Sequence, residues 1–388
     1  MGRQKQYEGY QPFDYLEAGV DYREFDLAGM HSGFEPYQLS LDSAQEERVK
    51  EIQSEIPVIS AHEHPSVFPA DMEGELRDYI KQGRLFTPYD YLADSNLDAL
   101  FDMHLAGISN IYSQEGWKWD EIVHAIGMRA ADIAHQDFVF RAKDTDDLRR
   151  ANEEGKLAFV PALESSAMIE NELDRIEILY GLGIRSLGIT YNTSNALGTG
   201  GGDVQARDGG LTGFGVEAVE RMNKVGMAIS VSHASEQTSL DVCDVSTKPV
   251  LDTHTLAASV SRGASDELLK AVAETGGVVS VVSSAMIPDV EHFMEHFEYM
   301  VALVGIDHVA FGPDLLYGDH RGLLETMAKQ YNLSLPENIR DRDHVEGMEN
   351  ATEAWDNIVR WLVREDYTDE EIEKVLGGNL LRALDQIW

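Results

Sequence analysis

The chain has 388 residues, with 31 Lys and Arg against 69 Asp and Glu, for a formal charge of −38. Hydrophobic residues make up 43% and aromatic residues 9%, enough apolar surface for a large core, which excludes a wholly disordered chain. So negative a field also argues against nucleic-acid phosphates and anionic lipid as partners.

Cys243 is the single cysteine, so neither an intrachain disulfide nor a cysteine-based zinc knuckle can form. The first 19 residues, MGRQKQYEGYQPFDYLEAG, contain no apolar run suited to a signal peptide. No stretch approaches the roughly 18 apolar residues needed to cross a bilayer. A soluble cytoplasmic protein is expected, with homodimer formation left open. Acidic residues recur along the whole chain without forming a tail. Such a spread suits a surface solvated at high salt, or else an ordinary acidic cytosolic enzyme.

In chain order, residues 1–55 read as a polar N-terminal extension that ends in the helix-like SAQEERVKEIQSEI. From residue 56 a unit repeats: a short apolar run rich in β-branched residues, then a longer amphipathic segment. The runs are 57–61, 106–112, 157–163, 184–190, 227–232, 249–253, 277–282 and 307–312. Helical patterns lie between them, at 116–141, 168–181, 215–225 and 265–275 among others. Gly183, Gly226, Gly276 and Gly277 precede strands where helix C-caps belong. Continuous apolar strands alternating with helices imply a parallel sheet, and eight such units imply a closed (β/α)8 barrel of the TIM type. A doubly wound open sheet is the alternative, but no G-x-G-x-x-G follows an early strand. Residues from about 320 to 388 are expected to be helical and to cap the barrel, so 56–388 reads as one domain.

Chemistry in such barrels sits at the C-terminal ends of the strands. Strand 1 runs into His62-Glu63-His64, strand 3 into Glu164, strand 4 into Tyr191-Asn192, strand 5 into His233, strand 6 into His254 and strand 8 into Asp314. One histidine at a strand end is usually a packed or capping residue. Four of the thirteen at equivalent places, joined by two carboxylates, argue for ligation. Residues i and i+2 of an extended segment share a face, so His62 and His64 can reach one ion while Glu63 points away. Imidazole and carboxylate suit Zn²⁺ and related metals. Glu164 can bridge to a second ion held by His233 and His254, and two ions about 3.5–4 Å apart would activate water and polarise a carbonyl. His308 faces the barrel bottom and reads as structural. His292 and His296 lack a partner motif and read as surface residues.

Several stretches carry a resemblance: GIRSLGITYNTSN, GGLTGFGVEAVERMNKVGMAISVSHAS, KPVLDTHTLAASVSRGASDELLKAVAETGGVV, GIDHVAFGPD and GGNLLRAL. From about residue 56 onward the chain resembles the membrane (renal) dipeptidase family of zinc metallopeptidases, on an amidohydrolase-like barrel. The resemblance implies a binuclear zinc site on His62, His64, Glu164, His233 and His254. It further implies Arg262 near a substrate carboxylate and Asp314 near a substrate amine. The chain departs from the family pattern at His64, where the family has an aspartate, and at Tyr191, where it has a histidine that steadies the oxyanion. A phenol still donates one hydrogen bond there. Ser165-Ser166 also stand where glycines are common.

These readings converge on metal-dependent hydrolysis of dipeptides or similar small amides by a metal-bridging hydroxide. Glu164, Asp314 and Tyr191 are the catalytic candidates, with Tyr191, Asn192, Arg262 and Asp314 lining the substrate. The alternatives are an amidohydrolase-type hydrolase or lyase acting on a non-peptide metabolite, and a barrel that binds without turnover. The charge generates its own prediction. Screening shortens the Debye length from about 10 Å at 0.1 M salt to about 3 Å at 1 M. The melting temperature should therefore rise between low and molar KCl, and a flat or falling trend would remove the high-salt reading.

Overall fold

The computed structural model describes residues 5–31, 34–104, 117–204, 207–258, 263–284, 287–330 and 345–388. In chain order the elements are α1 (Ser43–Glu55), β1 (Ile59–Glu63), α2 (Met72–Lys81), α3 (Tyr89–Ala93), β2 (Ala99–Met103), α4 (Trp119–Ile133), β3 (Val139–Arg141), α5 (Thr145–Glu154) and β4 (Leu157–Leu163). They continue with α6 (Arg175–Gly181), β5 (Ser186–Gly188), α7 (Gly213–Val225), β6 (Ala228–Ser230), α8 (Glu236–Val245), β7 (Val250–Thr255), α9 (Asp266–Glu274), β8 (Val278–Val281), α10 (Val290–Val304) and β9 (Val309–Phe311). Helices α11 (His320–Gln330), α12 (Ala351–Arg364), α13 (Asp369–Glu373) and α14 (Asn379–Ile387) complete the described chain.

All ladders are parallel, in the order β1-β2-β4-β5-β6-β7-β8-β9. Strand β9 returns beside β1, where the Asp314 N–H donates to the His62 carbonyl at 3.1 Å. The fold is thus a (β/α)8 barrel. Alternate strand residues line its interior: Ile59, Ala61, Ala99, Phe101, Ala158, Val160, Ala228, Leu251, Val278 and Ala310 form one buried cluster. Leu380, Ala383, Leu384 and Ile387 of α14 join that cluster and plug the barrel floor. The opposite strand faces, including Leu100, Phe159, Leu187, Ile229 and Val309, pack in the larger core shared with the helices. Among the described residues no helix is long and apolar enough to cross a membrane.

Several expectations need correction. The second barrel strand is Ala99–Met103, whereas the expected run 106–112 lies outside the described residues. Its five residues are all buried, but Asp98, Asp102 and His104 interrupt the apolar run and hide it as a strand in sequence. The helix expected over 116–141 stops at Ile133, and Val139–Arg141 forms the extra strand β3, which pairs with the start of β4. Gln136 makes the change: its side-chain oxygen accepts from the N–H groups of Phe138 and Val139 at 2.7 and 2.8 Å, turning the chain into an extended course. The pattern at 168–181 divides into a 3₁₀ turn at Ala167–Ile169 and α6.

The chain before β1 wraps against the barrel's top and side. Asp132 of α4 gathers Tyr10 Oη, the Phe13 N–H and Tyr89 Oη, each at 2.8 Å. Further along, the Ala28 N–H donates to the Phe68 carbonyl, and the Ala70 N–H to that of Asp26, both at 2.8 Å. These contacts brace the loop that follows His64.

Candidate metal centre

The ladder between β1 and β2 pairs Ser60 with Leu100 and Glu63 with Asp102, so three steps on β1 oppose two on β2. One extra residue reverses the side-chain alternation. Ile59 and Ala61 point into the barrel, and beyond the bulge His62 and His64 do so as well, while Glu63 turns outward. Strand β7 repeats the device: Asp252 pairs with Val279 and Thr255 with Val281. The successive residues Thr253 and His254 therefore both reach the barrel mouth.

Glycines allow the backbones to converge. A Cβ on Gly188 would lie 2.1 Å from the Glu164 carbonyl oxygen, and one on Gly312 would lie 2.0 Å from that of Thr253. His233 and Asp314, with φ of 64° and 63°, hold left-handed backbone that non-glycine residues rarely adopt.

The side chains converge on Glu164. Its Oε1 lies 3.4 Å from His64 Nε2, and its Oε2 lies 3.1 Å from His233 Nε2 and 3.8 Å from His62 Nε2. Asp314 Oδ1 lies 3.4 Å from His62 Nε2 and 3.0 Å from His64 Nε2. The Nε2 atoms of His233 and His254 face each other at 2.9 Å. Three groups here could hold a cation, each with donor atoms within 4.8 Å of one another: His62–His64–Glu164, Glu164–His233–His254 and His62–His254–Asp314.

Second contacts orient the rings. His64 Nδ1 lies 3.1 Å from the Met103 carbonyl, an acceptor only, so Nδ1 carries a proton and Nε2 is the nitrogen turned to the site. His233 Nδ1 meets Asn192 Oδ1 at 3.2 Å, which turns its Nε2 towards Glu164 and His254. Thr253 Oγ1 stands 3.3 Å from His62 Nδ1 and 3.4 Å from His254 Nδ1. The Ser232 hydroxyl donates to Asp252 at 2.6 Å and accepts the His254 N–H at 3.1 Å.

These residues fit a metal. Among the described residues His62 Nε2 is buried without a hydrogen-bond partner, and the Nε2 atoms of His233 and His254, 2.9 Å apart, need a cation or a proton between them. Charge in the metal-free protein tells the same story. Burial works to raise the Glu164 carboxyl, but the His233 hydrogen bond and the neighbouring histidines hold it below its ordinary value. Burial likewise opposes ionisation of Asp314, yet His62 and His64 keep it far below the usual carboxylate range. Burial, then the His62 and His233 charges, push His254 far down. Burial also disfavours a charge on His64, but the Asp314 hydrogen bond and the Glu164 charge prevail and lift it to about 9.

Of the other sequence candidates, Tyr191 covers His233, with ring centroids 4.2 Å apart, and Trp117 stands 5.7 Å from Tyr191. Arg262 lies outside the described residues. Glu63 is buried and faces away from the cluster; burial raises its carboxyl to about 7 against three hydrogen bonds. His308 Nδ1 meets the Gly277 carbonyl at 2.9 Å. His292 is exposed beside Asp289, but His296, expected at the surface, is buried on the apolar face of α10 with Phe293, Phe297 and Met300. Sequence reasoning passed over Thr253, Ser232, Asp252 and Trp117. The alternation Ser230-Val231-Ser232 in a buried strand was the available signal for Ser232. Asp252, an acid inside the apolar run 249–253, carried another, and Thr253 and Trp117 carried none.

The membrane dipeptidase family, peptidase family M19, matches residues 46–332. The chain belongs to that family. Its activity class is accordingly metal-dependent hydrolysis of dipeptides and similar small amides. An amidohydrolase from Pseudomonas aeruginosa is similar over 88% of this chain and 99% of its own, with 25% identity and a TM-score of 0.71. A metallo peptidase from Rhodobacter sphaeroides shares the fold at a TM-score of 0.63 and 18% identity, over 86% of this chain and 99% of its own. A Klebsiella pneumoniae protein described as uncharacterized, in the 5′ region of pqqA, is 27% identical over 259 residues, 62% of this chain and 86% of that protein.

The elevated His64 links metal binding to protons. Below about 9 the ring is protonated, and a cation at this site would require that proton to leave, so divalent-metal affinity should rise with pH up to that value. Stability of the metal-free protein should move the opposite way. A raised folded-state pKa contributes stability that is complete below the unfolded value of about 6.5 and is lost as pH climbs towards 9. Calorimetry of metal binding near pH 7 in buffers of different ionisation enthalpy should detect about one released proton from this ring. His64→Gln should abolish that proton release, and its persistence would exclude His64 as the source.

Proposed function

We propose that this dipeptidase-family barrel holds two divalent ions, zinc foremost, and cleaves dipeptides with both ends free. The reading is carried by one observation: Glu164 belongs at once to a cluster with His62 and His64 and to a cluster with His233 and His254. A carboxylate is suited to bridging two cations because it offers two oxygens and offsets part of their charge.

Divalent ions held there supply activation of water at neutral pH and polarisation of the scissile carbonyl. The chain's own groups do the rest. Asp314, kept ionised, holds the substrate ammonium and carries a proton towards the leaving amine. Tyr191 lies against His233 at the rim, where its phenol can donate to the developing oxyanion. Arg262 offers a planar fork matched to the substrate carboxylate. Asn192 acts through His233 by holding its Nδ1 proton.

Elemental analysis of active protein should find close to two divalent ions per chain, and Glu164→Gln should abolish turnover. Active protein without stoichiometric metal would overturn the mechanism. A single tight ion would mean that His64 has remodelled the pair.

The anchors also define substrate length. Leaving either end charge unpaired costs on the order of several kcal/mol. N-acetylated or C-amidated dipeptides should therefore react about a hundredfold more slowly or worse, and Arg262→Ala should erase the discrimination at the carboxylate end. Similar kcat/KM for blocked and free substrates would instead favour a non-peptide amide, the reading to which His64 and Tyr191 lend support.

A further inference from the structure

Glu63 stands between the two β1 histidines, on the far side of the strand. It is 1% exposed, and no cation is paired with it among the described residues. Its Oε1 accepts from Trp355 Nε1 of α12 at 2.9 Å and from Ser60 Oγ at 3.0 Å, and its Oε2 accepts from the Leu315 N–H at 2.9 Å. Leu315 follows Asp314 directly.

The loop after β9 is tied to β1 at three points. The Asp314 N–H donates to the His62 carbonyl at 3.1 Å, and the His64 N–H donates to the Leu315 carbonyl at 2.9 Å. The third tie is the Glu63 carboxylate. Between them Asp314 is held in left-handed backbone, with its carboxylate 3.0–3.4 Å from both β1 histidines. Such a conformation persists only where its surroundings impose it.

We propose that Glu63 is a positioning residue for Asp314, and that the Leu315 N–H and the Trp355 indole N–H, one donating to each of its oxygens, require a carboxylate at this position. The chemistry of the donors makes the requirement specific to a carboxylate. A backbone N–H and an indole N–H can only donate, so an acceptor must stand at each end of the residue-63 side chain. Ser60 differs, because its hydroxyl can turn to accept. A glutamine at 63 has one acceptor oxygen and one donor nitrogen. In either orientation it sets an N–H against the N–H of Leu315 or of Trp355. Removing the indole donor lifts the conflict: the amide oxygen can then take Leu315 while its nitrogen donates to Ser60.

The proposal rests on the role given to Asp314 in the metal-dependent reading, and its test is built to be separable from it. Wild type, Glu63→Gln, Trp355→Phe and the double variant would be compared by kcat and KM on a free dipeptide, by metal content and melting temperature, and by crystal structures of the metal-free proteins. Glu63→Gln should lose about tenfold or more in kcat with KM little changed, the scale of a displaced reacting group. Trp355→Phe should stay within about threefold of wild type, and the double variant should recover to about that level, a coupling that loss of packing alone would not produce. In the crystals Asp314 should leave the β1 histidines in Glu63→Gln and return in the double variant.

If Glu63→Gln does not fold, a folded double variant with Asp314 in place supports the proposal, and failure of both overturns it. Wild-type kcat in Glu63→Gln, an undisplaced Asp314, or a double variant as impaired as Glu63→Gln at equal metal content would each overturn it too. A wild-type protein that cleaves no dipeptide or small amide counts against the functional reading alone, since the crystal positions of Asp314 still decide this one.

Discussion

Glu164 is buried, and its two oxygens face the Nε2 atoms of His62, His64 and His233 at 3.1–3.8 Å. A carboxylate in that position, shared among rings whose Nδ1 atoms are turned to other partners, leaves several lone pairs aimed at one small volume. Proteins do not retain such crowding in their interiors without a cation or protons to satisfy it. The surrounding architecture follows from that constraint. Small residues at Gly188 and Gly312 let strand ends come close, and polar partners at Met103, Asn192 and Thr253 fix ring orientation.

The barrel also separates its two ends by chemistry. At the floor, α14 inserts Leu380, Ala383, Leu384 and Ile387 among small strand residues such as Ala99, Ala158 and Ala310. Burying those aliphatic side chains contributes roughly 1.5–3 kcal/mol each, apart from the smaller alanine. That apolar plug gives the polar mouth a rigid base. The mouth itself is costly: the buried Glu164 and half-buried Asp314 are held ionised side by side there, and two non-glycine residues adopt left-handed backbone. Stability is thus drawn from the floor and the helix layer, and strain is concentrated where the ligand-type residues lie.

Connections across the shell tie remote segments to the site. The N-terminal chain reaches Phe68 and Ala70 in the loop after β1, and Tyr317 in the loop after β9 is hydrogen-bonded to both Ser66 and Phe68. Helix α12 contributes Trp355, a fully buried side chain whose only polar atom meets Glu63. The loops bearing His64 and Asp314 are therefore held from three directions.

Much of this was legible in the residues alone. Apolar runs separated by amphipathic segments specify a parallel barrel because a strand covered on both faces has no room for alternation. His62, His64, Glu164, His233, His254 and Asp314 stand out because polar side chains at the ends of such runs are otherwise hard to explain. What periodicity could not supply was register. Whether His62 or Glu63 enters the barrel depends on one extra residue in the β1–β2 ladder, and the approach of His254 depends on another in β7–β8. A bulge is decided by the partner strand, and no local pattern records it. The same reason hid β2 and β3, as well as the joining of Trp355 to Glu63 across 292 positions of sequence. Residue types and their order determine which chemistry is available; only long-range pairing decides which side chains meet, because contacts between distant segments leave no trace in the spacing of either one.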